Sequence, residues 1–85
     1  MATRPTVFIT GGASGIGAEC GRKFLANNYN VFLADVNTRL GDALVAELKS
    51  ERVSFAKCDV TSSSDLRNAV QACVQAYGRV DVAIK

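Results

Sequence analysis

Histidine is absent from these 85 residues, which removes the commonest general base and metal ligand of neutral pH. Three cysteines, Cys20, Cys58 and Cys73, are odd in number and far apart. They match neither a metal pattern nor a disulfide framework, and they read as small buried hydrophobes in a reducing cytosol. No apolar stretch approaches the ~20 residues that a membrane span needs. The net charge of +2 is carried without any basic run, which argues against nucleic acid or an anionic membrane as a partner. Met1 to Pro5 precede only a short apolar stretch, so no signal peptide is expected. Val82 to Lys85 carry no peroxisomal or retention tripeptide. There is no repeat, linker or low-complexity segment. What is present is the balance of a packed globular domain, 48% hydrophobic and 21% charged, expected to be cytoplasmic.

Apolar runs alternate regularly with helical patterns. Strands are expected over 6–10, 31–35, 53–58 and 80–84, and helices over 15–27, 38–49 and 63–77. The strands are almost wholly apolar, as in a parallel sheet covered on both faces. Leu40, Leu44 and Leu48, with Val45 beside them, are expected to form the core stripe of the second helix. Leu66, Val70, Val74 and Tyr77 are expected to do the same in the third. Ser62 with Asp65 three residues on predicts a capping-box variant, and Gly78 suits a helix stop. Gly41 weakens the second helix, whereas Gly21, one turn after Gly17, is expected to repay its ~1 kcal/mol helix penalty by close packing on a strand.

The most informative run is Thr10-Gly11-Gly12-Ala13-Ser14-Gly15-Ile16-Gly17. Glycines between a strand and a helix let the backbone approach a pyrophosphate where a side chain would collide. The helix that starts there adds free N–H groups and a partial positive charge. The spacing is G-x-x-x-G-x-G. Asp35 ends the second strand about 20 residues further on, where a carboxylate can accept hydrogen bonds from both hydroxyls of an adenosine ribose. It would repel a 2′-phosphate. Neither the position before Gly15 (Ser14) nor the one after Asp35 (Val36) is basic. NAD is therefore expected over NADP, with Arg39 close enough to offset part of the repulsion. Cys20, near the start of the same helix, sits where a thiolate is favoured.

These motifs, together with Cys58-Asp59-Val60-Thr61 after the third strand and Gly78 to Ile84 at the fourth, resemble the N-terminal half of a classical short-chain dehydrogenase/reductase. The resemblance covers essentially the whole chain. It implies a Rossmann-type α/β fold and a dinucleotide held by Gly11, Ser14, Gly15, Ile16 and Gly17, by Asp35 and Val36 at the ribose, and by Asp59 and Val60 at the adenine. It also marks what is missing. The family continues with an Asn-Asn-Ala-Gly turn, a catalytic Asn, a Ser and a Tyr-x-x-x-Lys pair, and Lys85 stands where the first Asn of that turn would be. Tyr29 and Tyr77 are followed four residues on by Leu33 and Asp81. No acidified phenol for general acid/base work is available, so no residue is assigned a catalytic or metal-binding role.

Right-handed crossovers give strand order 3-2-1-4, with the glycine run at the switch point between strands 1 and 4. Residues 1–85 are read as one partial dinucleotide-binding domain without its catalytic half. The outer edge of strand 4, residues 80–84, is expected to be bare and prone to self-association, and the core marginal. Three functional readings stay open: the cofactor-binding portion of a short-chain oxidoreductase, a non-catalytic nucleotide-binding or interaction module, and an inactive truncated product.

Overall fold

A computed structural model describes residues 4–84. The signal-peptide reading of Met1 to Thr3 and the reading of Lys85 lie outside the described residues. Seven elements follow one another: β1 (Thr6–Thr10), α1 (Gly15–Ala26), β2 (Asn30–Asp35), α2 (Thr38–Leu48), β3 (Val53–Lys57), α3 (Ser63–Tyr77) and β4 (Val82–Ile84). The four strands form one parallel sheet of order β3-β2-β1-β4, as the crossover rule predicts.

Alternation along the strands divides the core in two. Val7, Ile9, Val31 and Leu33 point to the face covered by α1 and α2, where Ala18 and Leu44 meet them. Phe8, Phe32 and Ala34 point to the other face and pack with Cys58, Ala69 and Cys73. The rings of Phe8 and Phe32 stack with centroids 5.7 Å apart. Because both faces are covered, β1 and β2 are buried along nearly their whole length, which is why they lack a polar alternate position.

Several expected details differ. Strand β4 starts at Val82 rather than at residue 80. The Asp81 carboxylate accepts the Thr6 N–H at 2.8 Å, a donor that a strand carbonyl would otherwise accept, and Arg79 grips the same carboxylate. Strand β3 ends at Lys57, one residue early, and the chain then enters the Asp59 turn. On α3 the core face is made by Ala69 and Cys73, with Leu66 and Tyr77 packed against the same cluster as expected, while Val70 and Val74 are exposed. Small side chains at 69 and 73 let the helix settle onto the Phe8–Phe32 surface, and the bulkier valines fall beside the contact line. Leu40 is likewise exposed and Leu44 buried. The close approach of α2 is at Gly41, where an added Cβ would enter the ring of Phe55. Gly41 is thus a packing requirement, not a weakness. Gly21 behaves as expected, with Leu33 and Val31 side-chain ends against it.

The predicted capping box is half formed. Ser62 Oγ accepts the Asp65 N–H, but the Asp65 carboxylate accepts the N–H of Asp59. The Ser62 N–H is already donated to the Asp59 carbonyl. Gly78 closes α3 in a left-handed conformation, φ 81°, donating to the Val74 carbonyl. Two cysteines, Cys58 and Cys73, are buried as expected, and Cys20 is only half-buried. Burial raises the Cys58 thiol above its ordinary value, helped by the charges of Asp65 and Asp59.

Candidate functional site

The turn between β1 and α1 is built by hydrogen bonds to β2. Gly11 N–H and Gly12 N–H both donate to the Ala34 carbonyl, at 2.8 and 3.3 Å. Ala13 N–H donates to Asp35 Oδ2 at 3.1 Å. Three of the amides expected to line the phosphate site are therefore spent inside the protein. The amides of Ser14, Gly15, Ile16 and Gly17 have no hydrogen-bond partner among the described residues. Ser14 is the N-cap of α1 in an extended conformation, and its side chain makes no capping bond. No acidic residue lies in the first turn of α1 to neutralise its positive end. A cradle of four unpaired amides at residues 14–17 is narrower than the expected 11–17, and unpaired amides at a helix N-terminus are suited to an anion.

The glycines serve distinct ends. Gly11 and Gly15 have φ of +65° and +55° with open space around them, so conformation alone calls for glycine. Gly17 has ordinary φ, but a Cβ there would fall on the carbonyl oxygen of Gly11. Gly12 is pressed against β2, a Cβ there lying 2.8 Å from Leu33 Cδ2. Gly12 and Ala13, counted within the expected 11–17 pocket but not as individual contacts, serve instead to fasten the loop to β2.

Asp35 is half-buried beside this loop. Its Oδ2 accepts from Ala13, and its Oδ1 accepts the Asn37 N–H at 3.1 Å. A carboxylate offers about four lone-pair sites, so acceptor capacity remains for a sugar. Asn37 in turn caps α2 by accepting the Leu40 N–H at 3.0 Å. Asp59 is exposed, and its Oδ1 accepts both the hydroxyl and the N–H of Thr61, at 2.6 and 2.9 Å. Those two bonds, the side-chain one first, hold its carboxyl below the usual aspartate range. Its other oxygen has no partner among the described residues. Thr61, present in the third-strand motif but assigned no role from the sequence, fixes this carboxylate.

Three large apolar candidates stand in solvent around these groups: Ile16, Val36 and Val60. Val60 also lines a cleft of about 490 Å³ with Phe8, Thr10, Leu66, Val70, Ala83 and Ile84. The cleft lies at the carboxyl ends of β1 and β4, on the α3 side. Neither the glycine loop nor Asp35 lines this cleft. Thr10 Oγ1 donates to the Ile84 carbonyl at 3.2 Å and ties the two strands at the switch point. No metal-binding cluster occurs among the described residues. None of the described helices is long and apolar enough to cross a membrane.

The family model "short chain dehydrogenase" matches residues 5–85. A curated relative, short-chain dehydrogenase reductase 3b of Arabidopsis thaliana, is 42% identical over 76 residues, covering 89% of this chain and 30% of the relative. Among solved structures, a short-chain dehydrogenase/reductase (glucose/ribitol dehydrogenase) of Brucella melitensis superposes with a TM-score of 0.91 at 30% identity, covering 95% of this chain and 35% of that one. The 3-ketoacyl-(acyl-carrier-protein) reductase of Brucella melitensis, solved with NADH, gives 0.90 at 22% identity and shares the fold, covering 95% of this chain and 33% of its own. The chain spans under a third of the length of the curated relatives it matches.

Proposed function

This chain belongs to the short chain dehydrogenase family, and on that premise we propose that it is the dinucleotide-binding portion of an oxidoreductase that takes NAD in preference to NADP. One observation carries the reading: four unpaired amides at Ser14–Gly17 open beside the Asp35 carboxylate. The fit to a diphosphate rests on the cradle itself, whose loop packs onto α1 only because Gly17 has no Cβ to strike the Gly11 carbonyl. The structural relative solved with NADH adds support from the same fold.

In this reading the amides of residues 14–17 bind the pyrophosphate, with Gly11 shaping the turn. Asp35 accepts from the ribose hydroxyls, and Val36 borders the sugar. Asp59 uses its free oxygen at the adenine amino group, and Val60 packs on the ring. The cofactor supplies hydride exchange with an alcohol or carbonyl. This chain binds and orients it and carries no acid/base pair of its own, so residues 1–85 serve as a partial domain. A 2′-phosphate near Asp35 meets like charge. At ~4 Å that repulsion is worth about 1 kcal/mol in water and about 4 kcal/mol at an effective dielectric of 20.

Calorimetry with NAD, NADP, ADP and AMP tests the reading. NAD and ADP should bind with similar weak affinity, NADP more weakly, and Asp35→Ala should lose NAD. Asp35→Ser should gain affinity for NADP. Absence of heat with every nucleotide refutes the nucleotide reading and leaves an interaction module or an inactive product.

A second reading, a non-catalytic interaction module, is favoured by the β4 edge. Among the described residues β4 pairs only with β1, and Ala83 on it is exposed. Self-association through residues 80–84 would show as concentration-dependent sedimentation, abolished by Ala83→Lys. A sedimentation coefficient that stays monomeric at all concentrations excludes it. The free thiols of Cys58 and Cys73 suit a reducing, cytoplasmic setting.

A further inference from the structure

We infer that the Asp35 carboxylate is a positioning residue for the glycine loop, acting before any ligand arrives. Three amide donors tie the loop to β2. Two of them, from Gly11 and Gly12, end on the main-chain carbonyl of Ala34, which any side chain at 34 would supply. The third, from Ala13, ends on the Asp35 side chain. Ala13 is only 6% exposed, so its N–H has no ready access to water, and losing the acceptor leaves a buried donor unpaired.

The place of this bond gives it consequence. Ala13 is the last residue whose N–H is tied to β2, and Ser14 is the first of the four whose N–H has no partner among the described residues. The carboxylate therefore sets where the cradle begins. The Asn37 N–H holds its other oxygen, which ties the side-chain rotamer to the turn that opens α2. Asp35 thus links two loops through one carboxylate. A ribose meets a group already oriented, and any replacement that relaxes cofactor choice also releases the loop. Asparagine keeps one acceptor oxygen and can satisfy one of the two amides. Alanine satisfies neither.

The effect on ligand binding rests on the nucleotide reading above, but the loop geometry does not. Two measurements on the full chain separate them. In the unliganded chain, nuclear magnetic resonance should detect through-hydrogen-bond coupling between the Ala13 amide nitrogen and Asp35 Cγ. In Asp35→Ala, Ala13 amide exchange should quicken about tenfold relative to Leu33 in the core of β2, and Asp35→Asn should fall between. Inorganic pyrophosphate, which carries no ribose, should bind several-fold more weakly to Asp35→Ala than to the native chain. Absence of the coupling, or an unchanged Ala13/Leu33 exchange ratio, overturns the inference. Should Asp35→Ala unfold, the coupling in the native chain decides alone. A chain that shows the coupling yet binds neither pyrophosphate nor ADP refutes the nucleotide reading and leaves the brace standing. One that binds both without the coupling does the reverse.

Discussion

Replacing Gly17 with alanine probes the cradle through sterics alone. The added Cβ would fall on the Gly11 carbonyl oxygen, 2.9 Å from that carbonyl's carbon and 3.0 Å from Gly12 Cα. Carbon atoms in contact settle ~3.5–4.0 Å apart, so loop and helix must separate by roughly half an ångström or more. All three obstructing atoms belong to the backbone, so no rotamer change relieves them. Overpacking costs about 1–3 kcal/mol, and alanine's better helix propensity offsets at most about 1 kcal/mol. The net loss of stability is then about 0–3 kcal/mol. Binding suffers more. Moving one N–H away from a phosphate oxygen forfeits a charge-assisted bond of about 1.5–3 kcal/mol, which is roughly tenfold to a hundredfold in Kd. ADP titration by calorimetry alongside urea unfolding reads both quantities. Gly21→Ala is the control. Its Cβ would meet only side-chain ends, the nearest being Leu33 Cδ2 at 3.3 Å, so stability should change by less than about 1 kcal/mol and ADP affinity not at all. A Gly17→Ala chain that binds ADP as tightly as the native one refutes the steric account.

Tyr77→Phe should cost about 0.5–1.5 kcal/mol in urea unfolding, because the phenol shares a 2.7 Å hydrogen bond with Ser54 Oγ; an unchanged midpoint would count against that bond. Burial pushes the Cys73 thiol from 9.0 up to about 11. The folded chain keeps this proton where the unfolded chain releases it, so stability should fall as pH rises from about 9 towards 11, less so in Cys73→Ala when urea midpoints at pH 8 and pH 10 are compared. Arg79 holds the Asp81 carboxyl below the usual range, first through its hydrogen bond, with the Thr6 amide next. The contribution of Asp81 is present above the ordinary aspartate range and lost as pH falls through its lowered value. Arg79→Ala should therefore raise the carboxyl's titration midpoint by nuclear magnetic resonance and move acid unfolding to higher pH. Iodoacetamide on the native chain should label Cys20, half-buried, ahead of Cys58 and Cys73, and equal labelling would contradict the packing of α3.

Much of the fold was legible because it depends on local pattern. The buried strands announce themselves as apolar runs, and the glycine run at the end of β1 marks both a turn and a helix start. Asp35 declares itself by its distance from that run. The strand order follows from handed crossovers, which need only the order of elements. Chain composition and motif spacing sufficed for all of these.

Other features depend on what a distant segment brings within reach. Which loop amides are free hinges on the Ala34 carbonyl and the Asp35 carboxylate, both supplied by β2 and both satisfying donors that the motif alone would count as open. Helical spacing puts Leu66 and Tyr77 on the core side, as found, but between them only the flat Phe8–Phe32 surface selects Ala69 and Cys73, rather than Val70 and Val74, to face it. Gly41 is a poor helix former by propensity, and its necessity comes from a ring on β3. Local pattern thus determined the elements, their order and the motif at the turn. Tertiary contacts decided which donors, faces and glycines serve the site, because hydrogen bonding and close packing are satisfied between segments that sequence separation does not bring together.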